Sequence, residues 1–174
     1  MKFELISSEI AYQGHKLVVR SDRVRTPASI VDLDIIEHPG SVVLVPVDEK
    51  GRVLFVRQYR HAAAQEMLEL PAGTLEPGEA PEICAAREIR EEIGMAAASI
   101  QEIGAFYLAP GYSTEFMHVF LASGLSPAPL PPDEDEFLSV ETLPLAEALN
   151  LAKSGRLPDA KSLAALLLAE AHLE

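Results

Sequence analysis

The segment GTLEPGEAPEICAAREIREEIGM, residues 73–95, sets glycine, glutamate and arginine at spacings that one helix turns into a charged face. Gly73 and the Glu76-Pro77-Gly78 stretch are turn residues that deliver the chain into a helix over Glu79–Ile93. Pro81 suits a helix start, where its missing N–H is no loss. Gly94 suits the left-handed position just past a helix end. On a helical wheel Glu91 and Glu92, three and four residues beyond Glu88, share its face. Ile83, Ala86, Ile89 and Ile93 fall on the opposite side, as anchors to a core. Like carboxylates at i,i+4 destabilise an exposed helix by a few tenths of a kcal/mol, roughly. A hard divalent ion such as Mg²⁺ takes oxygen ligands and keeps waters, so it would cancel the repulsion and leave coordination positions open. Arg87, four residues before Glu91, can pair with it and fix its orientation. An isolated Glu/Arg-rich helix is usually a solvated surface. The flanking Gly73, Glu79 and Gly94 set this one apart.

The specified positions are Gly73, Glu79, Arg87, Glu88, Ile89, Glu91, Glu92, Gly94 and Met95, in the pattern G-x5-E-x7-R-E-U-x-E-E-x-G-U, where U is bulky and apolar. The chain thereby resembles the Nudix hydrolases, which cleave a diphosphate linked to another group. The resemblance implies a metal-dependent pyrophosphohydrolase of α+β class with the Nudix fold, a mixed β-sheet sandwiched between α-helices. It implies Mg²⁺, with Mn²⁺ as the alternative ion, held by Glu88 and Glu92, joined by Glu91 or Glu115 and the Ala72 carbonyl.

Composition bounds the remainder. At 174 residues and 48% apolar content the chain can bury one good core. No apolar run approaches a membrane span, and the opening MKFELISSEI lacks a signal-peptide stretch, so a cytoplasmic protein without membrane attachment is expected. Cys84 is the only cysteine, which excludes an intrachain disulfide, and its carboxylate neighbours disfavour a thiolate. The net charge of −13 argues against broad contact with a nucleic-acid backbone, RNA caps included. A small anionic substrate is not excluded, since metal and local arginines invert the field at one site. The five histidines have no ligand spacing.

Apolar and polar residues alternate from Phe3 to about His38, which predicts two or three antiparallel strands. Further strands are expected at Ser41–Val45, Val53–Arg60, Ile100–Leu108, Phe116–Leu121 and Phe137–Val140. The acidic proline-rich loop 127–136 reads as surface. Helices are expected near 145–154 and 160–173, the second carrying Leu163, Leu166, Leu167 and Leu168. The expected domains are an N-terminal β-subdomain, residues 1–38, forming an extra antiparallel sheet, and a catalytic domain, residues 39–174. In the pyrophosphatases that the chain resembles, such a sheet serves dimerisation, which implies a homodimer.

Pro110 lies sixteen residues beyond Gly94, inside Ala109-Pro110-Gly111-Tyr112-Ser113-Thr114-Glu115. Together with Val56-Arg57-Gln58-Tyr59-Arg60 and Glu69-Leu70-Pro71-Ala72-Gly73, this resembles the ADP-ribose pyrophosphatase subgroup. The subgroup implies cleavage of ADP-ribose to AMP and ribose 5-phosphate. Substrate contacts are expected from Arg57, Arg60, Glu76, Ala109 and Pro110; an arginine closing an apolar strand is a natural bidentate anion clamp. Glu92 or Glu115 would be the base, with Glu91 and Arg87 in support. Around Asp32 and Asp34 the N-terminal region is more acidic than in relatives, which leaves open a broader nucleoside-diphosphate-sugar hydrolase. A non-catalytic nucleotide-binding regulator is a third reading, disfavoured by the intact glutamate set.

Overall fold

The computed structural model describes residues 2–131 and 137–173. The acidic loop residues Asp133–Glu136 therefore lie outside the described residues. The chain divides into two compact units: Met1–Gly40 with Tyr107–Phe116, and Ser41–Phe106 with Met117–Glu174.

The first unit is a three-stranded antiparallel sheet, β1 (Glu4–Gln13), β2 (Val18–Arg25) and β3 (Ile30–Glu37), in that spatial order. The alternating stretch expected to hold two or three strands forms three. Thr26 closes the β2–β3 turn, its hydroxyl accepting from the Ala28 and Ser29 amides. The segment Tyr107–Phe116 is stitched to β3. Ile36 N–H donates to the Tyr112 carbonyl (2.7 Å), Thr114 N–H to the Ile36 carbonyl (3.0 Å), and His38 N–H to Thr114 Oγ1 (2.8 Å).

The second unit holds two sheets and three helices. Its strands are β4 (Ser41–Pro46), β5 (Arg52–Arg60), β6 (Gln65–Glu69), β7 (Ala72–Thr74), β8 (Met95–Tyr107, whose last residue is counted in the first unit), β9 (Phe116–Pro127, whose first residue is likewise) and β10 (Leu138–Pro144). One sheet runs β7-β4-β9-β8, the other β10-β5-β6. β4 is antiparallel to β7 and parallel to β9, so the sheet is mixed. All six β4 residues are buried, as expected of a strand covered on both faces. The helices α1 (Pro81–Glu92) and α3 (Ala160–Glu170) both pack on it. α2 (Leu145–Lys153) packs on α3 and β10. This is the α+β arrangement of the Nudix fold. The core gathers Val42, Leu44, Leu54, Val56, Cys84, Ala85, Ile89, Ile93, Phe120 and Ala122. No helix among the described residues is long and apolar enough to cross a membrane.

One expectation about α1 needs correction. Ile83 is 62% exposed, whereas Cys84, Ala85 and Ile89 are buried together with Glu88 and Glu92. Ile89 and Ile93 are buried as expected, but the buried arc extends from them through Glu92 and Glu88 to Cys84 instead of reaching Ile83. Wheel spacing gives relative angles only; burial of Cys84 and Ala85 on the core rotates Ile83 out.

Candidate active site

Short β7 and the following turn bring the backbone of residues 72–79 alongside α1. Pro81 occupies the first turn of α1, and Gly94 past its end adopts φ 69°, the left-handed stop that glycine permits. Gly78, at φ 79°, shapes the entry turn, in which Glu79 N–H donates to the Glu76 carbonyl and Glu76 N–H to Glu79 Oε2. Glu76 itself is exposed.

Three of the motif's carboxylates meet one guanidinium. Arg87 donates from Nε and Nη2 to the two oxygens of Glu79 (3.0 Å each), and from Nη1 to Glu88 Oε1 (2.6 Å) and Glu91 Oε2 (2.8 Å). Its Nη2 also reaches the Thr74 carbonyl at 3.3 Å. The expected Arg87–Glu91 pair is thus one arm of a larger fork. Glu92 Oε2 accepts the Ala72 N–H at 2.9 Å. Glu88 lies so close beneath Gly73 that a Cβ there would sit 1.8 Å from Glu88 Oε1. Glycine is required at that position for space rather than for φ.

These contacts hold Glu88 and Glu92 in buried, defined positions with more negative charge than Arg87 balances. Among the described residues no three acidic, histidine or cysteine side chains form a complete metal cage. Mg²⁺ ordinarily takes one or two carboxylates and completes its shell with waters and substrate phosphate. Two buried carboxylates beside the Ala72 backbone are donors of that kind, so the residues present fit a Mg²⁺ site. Burial, reinforced by Glu88 and Glu79, pushes the Cys84 thiol far up, which leaves it as packing.

The Arg87 hydrogen bonds hold the Glu79 carboxyl down to about 2 against its ordinary 4.5, with partial burial opposing and the Glu76 amide helping. A carboxyl depressed in the folded state contributes stability above its ordinary value and loses it as pH falls through the folded one. Glu79→Gln should therefore lower the melting temperature at pH 7. It should also flatten the acid destabilisation between pH 4.5 and about 2. Thermal unfolding of both proteins at pH 2–7 checks this; parallel curves would contradict it.

Arg60, the expected anion clamp, and Arg57, an expected substrate contact, each already hold a carboxylate of the chain. Arg60 makes a two-pronged bond to Glu69, Nε–Oε1 and Nη2–Oε2 both 2.7 Å. Arg57 holds Glu141 on the adjacent β10 with Nε and, at 3.1 Å, Nη2. Glu69 is 1% exposed. Burial works against its charge, yet Arg60 and Lys161 hold its carboxyl below the usual range. Sequence reading had no access to this Glu69–Lys161 pair, which joins residues 92 apart.

Ala109, Pro110 and Glu115 belong to the first unit. The Ala109 carbonyl accepts from Tyr112 N–H (3.1 Å) and Ser113 N–H (2.9 Å), forming a tight turn. Glu115 N–H donates to Ser113 Oγ, and the Glu115 carbonyl accepts from Leu108 N–H, which pins the loop's end.

Residues 37–166 match the NUDIX domain family, and the chain belongs to that family. Two relatives agree over nearly the whole length. A Bacillus subtilis (strain 168) protein named ADP-ribose pyrophosphatase is 42% identical over 160 residues, 90% of this chain and 86% of its own. A Mycobacterium tuberculosis (strain H37Rv) protein of the same name is 38% identical over 173 residues, 97% of this chain and 84% of its own. In fold, the chain is similar to a crystal structure of an ADP compounds hydrolase, with TM-score 0.88, 24% identity and coverage of 99% and 95%.

Proposed function

We propose that this protein is a cytoplasmic, Mg²⁺-dependent ADP-ribose pyrophosphatase that cleaves the diphosphate to AMP and ribose 5-phosphate. One observation supports the chemistry above the others: Glu88 and Glu92 are buried side by side against Gly73 and the Ala72 amide. The names of the two relatives support the substrate. Glu88 and Glu92, with Glu91 and the Ala72 carbonyl, would hold the ion. Bound Mg²⁺, or Mn²⁺ in its place, supplies neutralisation of the diphosphate and a more acidic water.

The chain's own residues do the rest. Glu92 or Glu115 accepts a proton from the attacking water. The water oxygen bonds to one phosphorus, the bridging P–O bond breaks, and the bridging oxygen leaves on the other phosphate. Arg87 fixes Glu91 and Glu88. Arg60 and Arg57, held by Glu69 and Glu141 through Nε and Nη2, would turn their remaining N–H groups to the substrate phosphates. Glu76, Ala109 and Pro110 complete the substrate contacts in this reading. We also propose a homodimer built on the first unit's sheet: all ten β1 residues are exposed, Leu5, Ile6, Ile10 and Tyr12 among them. Sedimentation equilibrium giving a monomer mass would refute it.

The test of function is turnover of ADP-ribose beside ADP-glucose and UDP-sugars, with Mg²⁺ and with EDTA. A metal-dependent preference for ADP-ribose is expected. Equal kcat/KM across the panel would replace this reading with a general sugar-nucleotide hydrolase. EDTA-resistant turnover would overturn the metal assignment.

A further inference from the structure

We propose that Lys161 and Ser162 of α3, acting with Glu69, are positioning residues that set the Ala72 backbone and, through it, Glu92. The consequence for turnover rests on the hydrolase reading above; the consequence for metal binding is tested without it.

The argument starts from a gap between two sheets. β6 ends at Glu69 in one sheet and β7 begins at Ala72 in the other, so Leu70 and Pro71 cross between them with no ladder of their own. Pro71 has no N–H to donate. Other elements therefore fasten the crossing. The Pro71 carbonyl accepts from Leu44 N–H of β4 at 2.8 Å. The Leu70 N–H donates to Ser162 Oγ at 2.7 Å. The Glu69 carboxylate is gripped by Arg60 and by Lys161. The next donor along the chain is Ala72 N–H, which goes to Glu92 Oε2.

The first turn of α3 is built to present these groups. Asp159 caps the helix, accepting from Ser162 N–H (3.0 Å) and Lys161 Nζ (2.9 Å). It also accepts the Ser162 hydroxyl proton. With that proton committed to Asp159, a lone pair of the Ser162 oxygen is aimed at Leu70 N–H. Ser162 is fully buried, so no water can substitute for it without rearrangement. Glu69, equally buried, keeps its charge only against a cation. Ala72 carries both the N–H that orients Glu92 and the carbonyl proposed to face the ion. A small displacement of the crossing therefore disturbs both at once, as partners of a metal's ligands ordinarily do.

The experiment measures binding of Mn²⁺ alone, without substrate, by calorimetry. Ser162→Ala and Lys161→Met are expected to weaken it by roughly tenfold. Lys161→Arg, which keeps the cation, should retain it. Lys153→Ala removes the Lys153–Glu170 pair between α2 and α3 and touches nothing in the crossing, so it should leave affinity unchanged. Should Ser162→Ala not fold, the two Lys161 variants carry the comparison alone. Unchanged affinity in Lys161→Met, or an equal loss in Lys153→Ala, would overturn the proposal. A protein that shows the expected binding pattern but hydrolyses no nucleoside diphosphate would overturn the proposed function and leave this inference standing.

Discussion

Glu92→Gln is expected to lose about 10²–10⁴-fold in kcat, the range for removing a positioned proton acceptor, while folding normally. The glutamine keeps an amide oxygen that can still accept the Ala72 N–H, so the backbone contact survives. It cannot take up a proton at neutral pH, and it is a weaker ligand for a hard cation. Stability should hold or rise slightly. Glu88 and Glu92 are like charges one helical turn apart, and relieving such a pair is worth a few tenths of a kcal/mol, roughly. AMP release at saturating ADP-ribose, followed across Mg²⁺ concentration and pH, separates the two roles. A ligand role raises the Mg²⁺ needed for half-maximal rate. A base role removes the acidic limb of the pH–rate profile. Glu115→Gln, measured in parallel, shows which carboxylate owns that limb. Turnover within threefold of the parent protein would sink the role proposed for Glu92.

The helix and its glutamates were legible because their spacing is a local property. Residues 79–93 read as a helix, and Pro81–Glu92 forms one, with Gly94 in the left-handed conformation. The strands were legible for the same reason, since alternation and turn residues act over a few positions. Pairings between distant residues were not. Nothing in Arg57 or Arg60 reveals that Glu141 and Glu69 hold their guanidinium groups, because a strand-end arginine looks alike whether its partner is a phosphate or a carboxylate. Ser162 reads as an ordinary residue of a leucine-rich helix until the fold sets it against Leu70. Ile83 shows a different limit. Its wheel position was right relative to Glu88, but the choice of buried arc depends on what β4 and β7 present to the helix.

Gly73→Ala is expected to raise the Mg²⁺ requirement by roughly 10–100-fold and to cut kcat by about 10²-fold, the scale for an ångström of misplacement. The added methyl would lie 1.8 Å from Glu88 Oε1, 1.9 Å from Cδ and 2.5 Å from Cγ. Glu88 has no easy escape. It is 7% exposed, and Arg87 Nη1 grips its Oε1 at 2.6 Å. Moving the carboxylate breaks that bond and removes a proposed ligand; moving β7 instead strains its pairing of Gly73 with Val42. The stability cost should be modest, because overpacking by one methyl costs about 1–3 kcal/mol and losing a glycine from the unfolded chain returns about 0.4–1 kcal/mol. The activity loss should therefore far exceed anything unfolding explains. A double-mutant cycle identifies the cause. Glu88→Ala removes the atoms that the new methyl meets, so Gly73→Ala in that background should add little further loss of metal affinity. Additive losses would mean that Gly73 acts through something other than Glu88.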